Sequence, residues 1–154
     1  MDTKGNWIRE PGYFVSGLDG FGNFIAFDSS GAFGLLAMNM DTILPFQYRN
    51  IKTITPDRFW VVTQNRGQMI INKEGTLSIP FPPGYSLTDK TIIKGKGYLC
   101  LSNYSTKKVG LFDDQMREII KPDFDGIYTT APYLVPHFIM VKVKGWVGLL
   151  QWPD

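Results

Sequence analysis

Glycine and proline recur along this chain at intervals so short that a long helix has no room to form. The 154 residues include 16 Gly and 10 Pro, and the longest stretch free of both, residues 98–109, has 12 residues. Each Gly costs about 1 kcal/mol and each Pro about 3 kcal/mol in a helix interior, so a helical chain would be destabilised repeatedly. The sequence therefore predicts an all-β fold of short strands joined by turns.

The apolar runs between these glycines and prolines have the composition of strands. They are short and rich in β-branched and aromatic residues, which suit the pleated backbone of a sheet. We expect strands at five of them: Phe24–Phe27, Phe59–Val62, Met69–Ile71, Tyr98–Leu101 and Phe138–Val141. Residues 111–121 are the best rival helix, but comparison with the preceding repeat favours a hairpin turn at residues 113–118.

An internal repeat organises the chain. Four equivalent positions are separated by 35, 41 and 38 residues: Leu35, Ile70, Leu111 and Leu149. The first three copies continue with a polar turn and then an apolar segment containing proline: Ile43–Pro45, Ser78–Pro80 and Ile119–Pro122. Repeats of this length indicate one supersecondary unit per copy.

The copies divide one domain, residues 1–154, into repeat units at about 33–66, 67–107 and 108–144, with a fourth unit split between 145–154 and 1–32. The C-terminus supplies only the first strand of that fourth unit, and the N-terminal region supplies strands that match the closing ones. A split unit suits a closed ring, which removes exposed sheet edges. We therefore expect about four antiparallel β units in a closed propeller-like or barrel-like assembly, with an open β-solenoid as the alternative.

The repeat resembles that of the bacterial WG-repeat proteins, most closely over Gly67–Pro80, which has an Asn-Lys-Glu-Gly turn followed by Ile-Pro. Phe138–Leu150 is similar to the junction between two such repeats, and the resemblance covers about residues 24–151. No literal Trp-Gly pair occurs, because other residues hold the Trp position: Phe33, Val109 and Val147, with Trp146 one residue earlier. The resemblance implies a β-repeat scaffold for protein interaction or ligand binding, with no defined catalytic activity and no fixed cofactor.

The chain has few of the side chains on which catalytic and metal sites depend. Its single cysteine, Cys100, lies within an apolar strand, where a free cysteine usually behaves as a small buried hydrophobe. Its single histidine is His137, and the sequence leaves open a pairing of the two in space. A structural zinc site needs about four N or S ligands. We therefore expect no catalytic residues, no metal site and no cofactor.

Carboxylates are the remaining candidates for acid–base chemistry. They occur near the N-terminus and in the third unit: Asp19, Asp28, Asp113, Asp114, Asp123 and Asp125. Turn positions explain them, because Asp there hydrogen-bonds its own backbone. A pair of carboxylates could also cleave a glycosidic bond. A carboxylate-dependent, hydrolase-like enzyme is therefore the alternative to a non-enzymatic scaffold.

Charge and cysteine content bear on partners and location. The formal net charge is +2, and the lysines occur in local pairs, too dilute for a nucleic-acid site. No apolar run approaches the roughly 20 residues of a membrane helix, so we expect no membrane insertion. A single cysteine fits a reducing compartment and a cytoplasmic location, with a secreted or periplasmic one as the alternative if a leader has been removed. The oligomeric state is not specified.

Two irregular loops, Phe81–Tyr85 and Tyr128–His137, place aromatic residues beside prolines. Rigid loops that carry aromatic residues are common recognition surfaces. We predict Tyr85, Tyr133 and His137 as binding residues, with a protein as the partner. The competing interpretation is that Tyr85 and Tyr133 cap the ends of the β core.

Overall fold

Fourteen strands make up the part of the protein described by the computed structural model, residues 12–93, 96–128 and 138–151. They are β1 (Tyr13–Leu18), β2 (Phe24–Asp28), β3 (Phe33–Leu36), β4 (Thr42–Thr55), β5 (Arg58–Thr63), β6 (Gln68–Asn72), β7 (Ser78–Pro80), β8 (Tyr85–Ile93), β9 (Lys96–Asn103), β10 (Val109–Asp113), β11 (Glu118–Phe124), β12 (Gly126–Tyr128), β13 (Phe138–Val143) and β14 (Trp146–Gln151). No helix occurs within these residues, so the predicted all-β fold is confirmed.

The strands form three antiparallel sheets in which neighbours along the chain are neighbours in space. The first sheet has the order β1-β2-β3-β4-β5-β6-β7, the second β11-β10-β9-β8 and the third β12-β13-β14. None of the three is closed into a barrel, and β1 and β14 belong to different sheets. The antiparallel pairing of the strands is therefore confirmed, whereas the division into about four units and the closure of the ring stay predictions.

The strands predicted from composition and the hairpin predicted from the comparison of repeats are confirmed. The five predicted runs lie within β2, β5, β6, β9 and β13. In the disputed segment, the Met116 N–H donates to the carbonyl oxygen of Asp113, and the Asp113 carboxylate accepts hydrogen bonds from the N–H groups of Gln115 and Arg117. An Asp that satisfies the turn backbone in this way favours a hairpin over a helix.

The repeat alignment corresponds to a shared pairing of strands. Leu35 pairs with Leu44, Ile70 with Ile79 and Leu111 with Ile120. The first strand of each of these three copies therefore pairs with the apolar strand that carries proline. Both β3–β4 and β10–β11 also contain irregularities of register beside this pair.

The described residues fall into two compact units. One contains the residues up to 53 together with 60–68, and the other contains 54–59 and the residues from 69 onward. In the first unit, Ala26, Leu35 and Leu44 are among the buried apolar side chains, and the rings of Tyr13 and Phe46 stack with their centroids 5.6 Å apart.

One cluster of buried side chains in the second unit is drawn from β9 to β13. Its buried members are Cys100, Val109, Leu111, Ile120, Ile127, Ile139 and Val141. Side chains of β9, β10 and β11 therefore pack against one face of the sheet β12-β13-β14. The cluster covers only this face of the sheet and does not include the side chains on the opposite face.

Candidate interaction surface

The structure describes one of the three predicted binding residues. Tyr85 begins β8, and its half-buried ring meets the Phe112 ring edge-on, with the centroids 5.7 Å apart. Tyr133 and His137 lie outside the described residues. The contact with Phe112 gives Tyr85 a packing role, and a binding role for all three residues stays a prediction.

The carboxylates near the N-terminus are occupied by the backbone of their own turns. Asp19 and Asp28 each accept hydrogen bonds from the N–H groups two and four residues later. The Ser30 hydroxyl donates to Asp28 and is the main reason why the pKa of that carboxyl lies below its ordinary value. The general acid of a carboxylate hydrolase needs the opposite shift, a raised pKa.

Asp19 is the most enclosed of these groups. Burial acts to raise the pKa of its carboxyl, but hydrogen bonds from Asn23, Phe21 and Thr53 outweigh burial and lower it. The Thr53 hydroxyl lies 2.8 Å from Oδ2 of Asp19, so the carboxylate ties the β1–β2 hairpin to β4. Asp19 therefore has a structural explanation that requires no substrate.

Asp125 joins two turns of the second unit. Its carboxylate accepts hydrogen bonds from Nζ of Lys108 and from the N–H of Lys144, and the Lys108 contact chiefly lowers its pKa. Across residues 12–93, 96–128 and 138–151, no three His, Cys, Asp or Glu side chains are grouped so that they could hold a metal ion.

Cys100 is buried in β9, where only 1% of its surface is exposed. Burial, followed by the charge of Asp89, raises the pKa of its thiol to about 12. A thiol with such a pKa forms little thiolate at neutral pH and is a poor nucleophile. Cys100 therefore acts as a packing residue of the second core, as expected for a cysteine in an apolar strand.

One face of the sheet β12-β13-β14 carries apolar side chains that the other described residues leave exposed. Met140 of β13 pairs with Tyr128 on one side and with Leu149 on the other, so these three side chains form a row across the sheet. Phe138 and Val147 lie on the same face, because side chains two residues apart on a strand point the same way. We call these five residues the outer face: Tyr128, Phe138, Met140, Val147 and Leu149.

The outer face is apolar and largely open to solvent. Val147 is 61% exposed and Leu149 is 59% exposed, whereas the repeat-equivalent Leu35, Ile70 and Leu111 are fully buried. In the second unit, Leu111 lies in one buried cluster with Ile139 and Val141 of the next sheet. Within the described part of the chain, no such sheet covers Leu149.

Lys142 adds one positive charge to this surface, because it pairs with Val147 across the sheet. Trp146 is the first residue of β14 and is 82% exposed. The sequence does not predict this surface, because residues 145–154, the first strand of the fourth copy, are interpreted as part of a closed ring.

Comparison with known proteins adds no family assignment. A scan against models of protein families gives no match, and a search of curated proteins gives no significant match. The resemblance to WG repeats therefore stays a prediction. The described residues also contain no helix that is long and apolar enough to cross a membrane.

Proposed function

We propose that this protein is a non-enzymatic β-repeat scaffold that binds another protein through the outer face. The observation that carries the proposal is the exposure of Leu149 at a repeat position that is buried in all three other copies. Exposed apolar patches of this kind are typical of interaction surfaces in soluble proteins. The resemblance to WG repeats implies the same class of function.

The way in which the other copies are covered indicates the chemistry of the partner. Leu111 shares a buried cluster with aliphatic side chains of a neighbouring sheet, namely Ile127, Ile139 and Val141. A partner that presents a comparable sheet face would fit the outer face. An acidic group opposite Lys142 would add charge complementarity, which favours specificity and association rate more than affinity.

The proposal is tested with Leu149→Lys, which places a charge at the centre of the outer face. The matched control is Met38→Lys, because Met38 is 72% exposed in a hairpin of the other unit. Each variant is used for affinity capture from the source cells, and any captured protein is purified and titrated against all three proteins. We expect binding by the wild type and Met38→Lys, and at least about tenfold weaker binding by Leu149→Lys.

Two results would contradict the proposal. The first is a captured partner that binds Leu149→Lys as tightly as it binds the wild type. The second is a large loss of thermal stability for purified Leu149→Lys but not for Met38→Lys, because this would mean that the chain itself covers the outer face. Light scattering of the wild type distinguishes a third case, in which a second copy occupies the surface.

A further inference from the structure

Strand β14 ends its sheet, whereas the equivalent strand of each other copy has a further strand beside it. Strand β3 pairs with β4, β6 with β7 and β10 with β11, but the sheet β12-β13-β14 stops at β14. Within residues 12–93, 96–128 and 138–151, no strand pairs with the backbone groups on that side of β14, which we call the free edge. An edge of this kind is a template on which another strand can pair.

The strand beside each equivalent strand is bulged wherever the repeat position before the leucine is glycine. In the first copy, the single residue Gly34 lies opposite residues 45–47 of β4. In the third copy, Gly110 lies opposite residues 121–123 of β11. The second copy has Met69 at this position, and its pairing with β7 is regular. Glycine therefore accompanies a bulged neighbour, and a larger residue accompanies a regular one.

The bulge needs the glycine because it brings backbone into the space of a side chain. A Cβ at Gly34 would lie 3.0 Å from the carbonyl oxygen of Leu44, and a Cβ at Gly110 would lie 2.7 Å from that of Ile120. Gly148 holds the same repeat position in β14, but a Cβ there would meet nothing within 4 Å. Glycine weakens a strand and often marks a place where another backbone approaches closely. Gly148 therefore indicates that a bulged strand of the same kind pairs with the free edge.

The two bulged strands indicate which side chains such a strand carries. Each has an aliphatic residue and, four positions later, an aromatic one: Leu44 and Tyr48 in β4, and Ile120 and Phe124 in β11. A proline lies within each bulge, where an absent N–H is tolerated. The aliphatic residue pairs with the leucine after the glycine, and the aromatic residue pairs with the residue before the glycine. In β14 these two positions are Leu149 and Val147.

We propose that the free edge of β14 binds an extended segment of another protein by antiparallel strand addition. The segment carries an aliphatic residue beside Leu149, an aromatic residue beside Val147 and a bulge with proline opposite Gly148. The proposal deepens the proposed function, on which it rests, because it names the segment that the partner contributes next to the outer face.

The strands of this chain are poor candidates for that segment. Strands β4 and β11 have the required pattern, but each is already paired within its own sheet. Strand β14 of a second copy does not fit, because residues 146–151 contain no proline and no aliphatic residue followed four positions later by an aromatic one. The occupant is therefore assigned to a different protein.

The first test is a titration of the full chain with a fluorescent peptide that has the pattern of β11, residues 117–125, followed by anisotropy. We expect the wild type to bind the peptide and Gly148→Val to bind at least about tenfold more weakly, because valine takes the space of the bulge. Gly17→Val is the matched control and should bind as the wild type does. It also places valine in the end strand of a sheet, with nothing within 4 Å of the Cβ. A peptide with Ile120→Lys and Phe124→Lys should not bind.

The second test asks whether the edge is free in the isolated protein. Valine favours strands and meets open space at position 148, so the melting temperature of Gly148→Val should be unchanged or raised. A fall of several degrees, with no such fall for Gly17→Val, would mean that the chain itself covers the edge and would overturn the proposal.

Further outcomes separate strand addition from binding through the outer face. No binding up to about 1 mM peptide, or equal binding by the wild type and Gly148→Val, would overturn strand addition. A captured partner that is lost by Leu149→Lys but retained by Gly148→Val would support the proposed function and overturn the further inference alone. Light scattering should show a monomer, and a dimer that Gly148→Val dissociates would overturn the assignment to a different protein.

Discussion

Single residues set the hairpins of this protein through an unusual backbone conformation. The turn after β6 closes at Gly75 with φ of 71°, and the equivalent turn after β10 closes at Met116 with φ of 62°. In both turns the N–H of this residue donates to the carbonyl oxygen three residues earlier, in Asn72 and Asp113. Glycine adopts this left-handed conformation freely, whereas a residue with a Cβ is strained there.

Met116→Gly is therefore expected to stabilise the protein. Relief of the left-handed strain should raise the free energy of unfolding by up to about 1 kcal/mol, as measured by urea denaturation. The converse substitution in the equivalent turn, Gly75→Ala, should lower it by a comparable amount. Changes of the same sign in the two variants would contradict this account of the turns.

Asp19 makes the stability depend on pH at the acid end. Its folded-state pKa is lowered, so its contribution is fully present above the unfolded pKa of about 3.9 and is lost as the pH falls through the folded value. Asp19→Asn should cost about 2 kcal/mol at pH 7, because hydrogen bonds to a charged group are lost. The cost should shrink below about pH 4.

Urea titrations of the wild type and Asp19→Asn between pH 2.5 and 7 measure this difference. The control is Asp123→Asn at an exposed position, which should remain within about 0.5 kcal/mol of the wild type at pH 7. A difference between Asp19→Asn and the wild type that is constant across the whole pH range would show that the carboxylate charge is not involved.

At the scale of elements, the sequence predicts the strands and their pairing, but it does not predict what packs against each sheet. Runs such as Phe138–Val141 are identifiable because β-branched and aromatic residues cluster between turn residues. The repeat alignment also identifies which strands pair, since Leu111 and Ile120 occupy equivalent positions to Ile70 and Ile79. The exposure of β14 could not be derived in this way, because its side chains have the same composition as buried strands and exposure depends on what packs against them.

The contrast between Leu111 and Leu149 can be measured directly. Leu111→Ala removes a buried side chain from the second core and should cost about 2–5 kcal/mol of unfolding free energy. Leu149→Ala, at the equivalent but exposed position, should change it by no more than about 0.5 kcal/mol. Equal costs in calorimetry or urea denaturation would show that the outer face is covered in the isolated protein.

At the scale of the whole molecule, the class of the fold is confirmed and the closure of the ring stays a prediction. An all-β chain of repeated antiparallel strands was predictable from the spacing of its turns. Ring closure depends on packing between strands distant in sequence, for which local pattern gives no measure. Loops rich in proline and aromatic residues predict Tyr85, Tyr133 and His137 as binding residues. The ring of Tyr85 also packs on Phe112, and a contact of this kind cannot be read from the composition of a loop.

Cys100 offers a probe for opening of the second unit. Its thiol is buried and its pKa is raised to about 12, so a thiol reagent at pH 8 should label the native protein far more slowly than an unstructured cysteine. Labelling should accelerate with urea in parallel with unfolding, and Leu111→Ala should shift this acceleration to lower urea concentration. Rapid labelling in native buffer would contradict the burial of β9.

The length of β4 has a consequence for how the repeats of this protein can vary in length. Strand β4, residues 42–55, is one continuous strand that pairs with both β3 and β5. In the second copy, residues 81–84 divide the corresponding segment into two strands, β7 and β8. The first interval of the repeat is also the shortest, at 35 residues against 41 in the next, and the connection at 81–84 accounts for part of this difference. One inserted residue within β4 would turn every later side chain of that strand to the opposite face, whereas the connection at 81–84 can absorb insertions. Natural variation in repeat length should therefore concentrate in that connection and avoid β4.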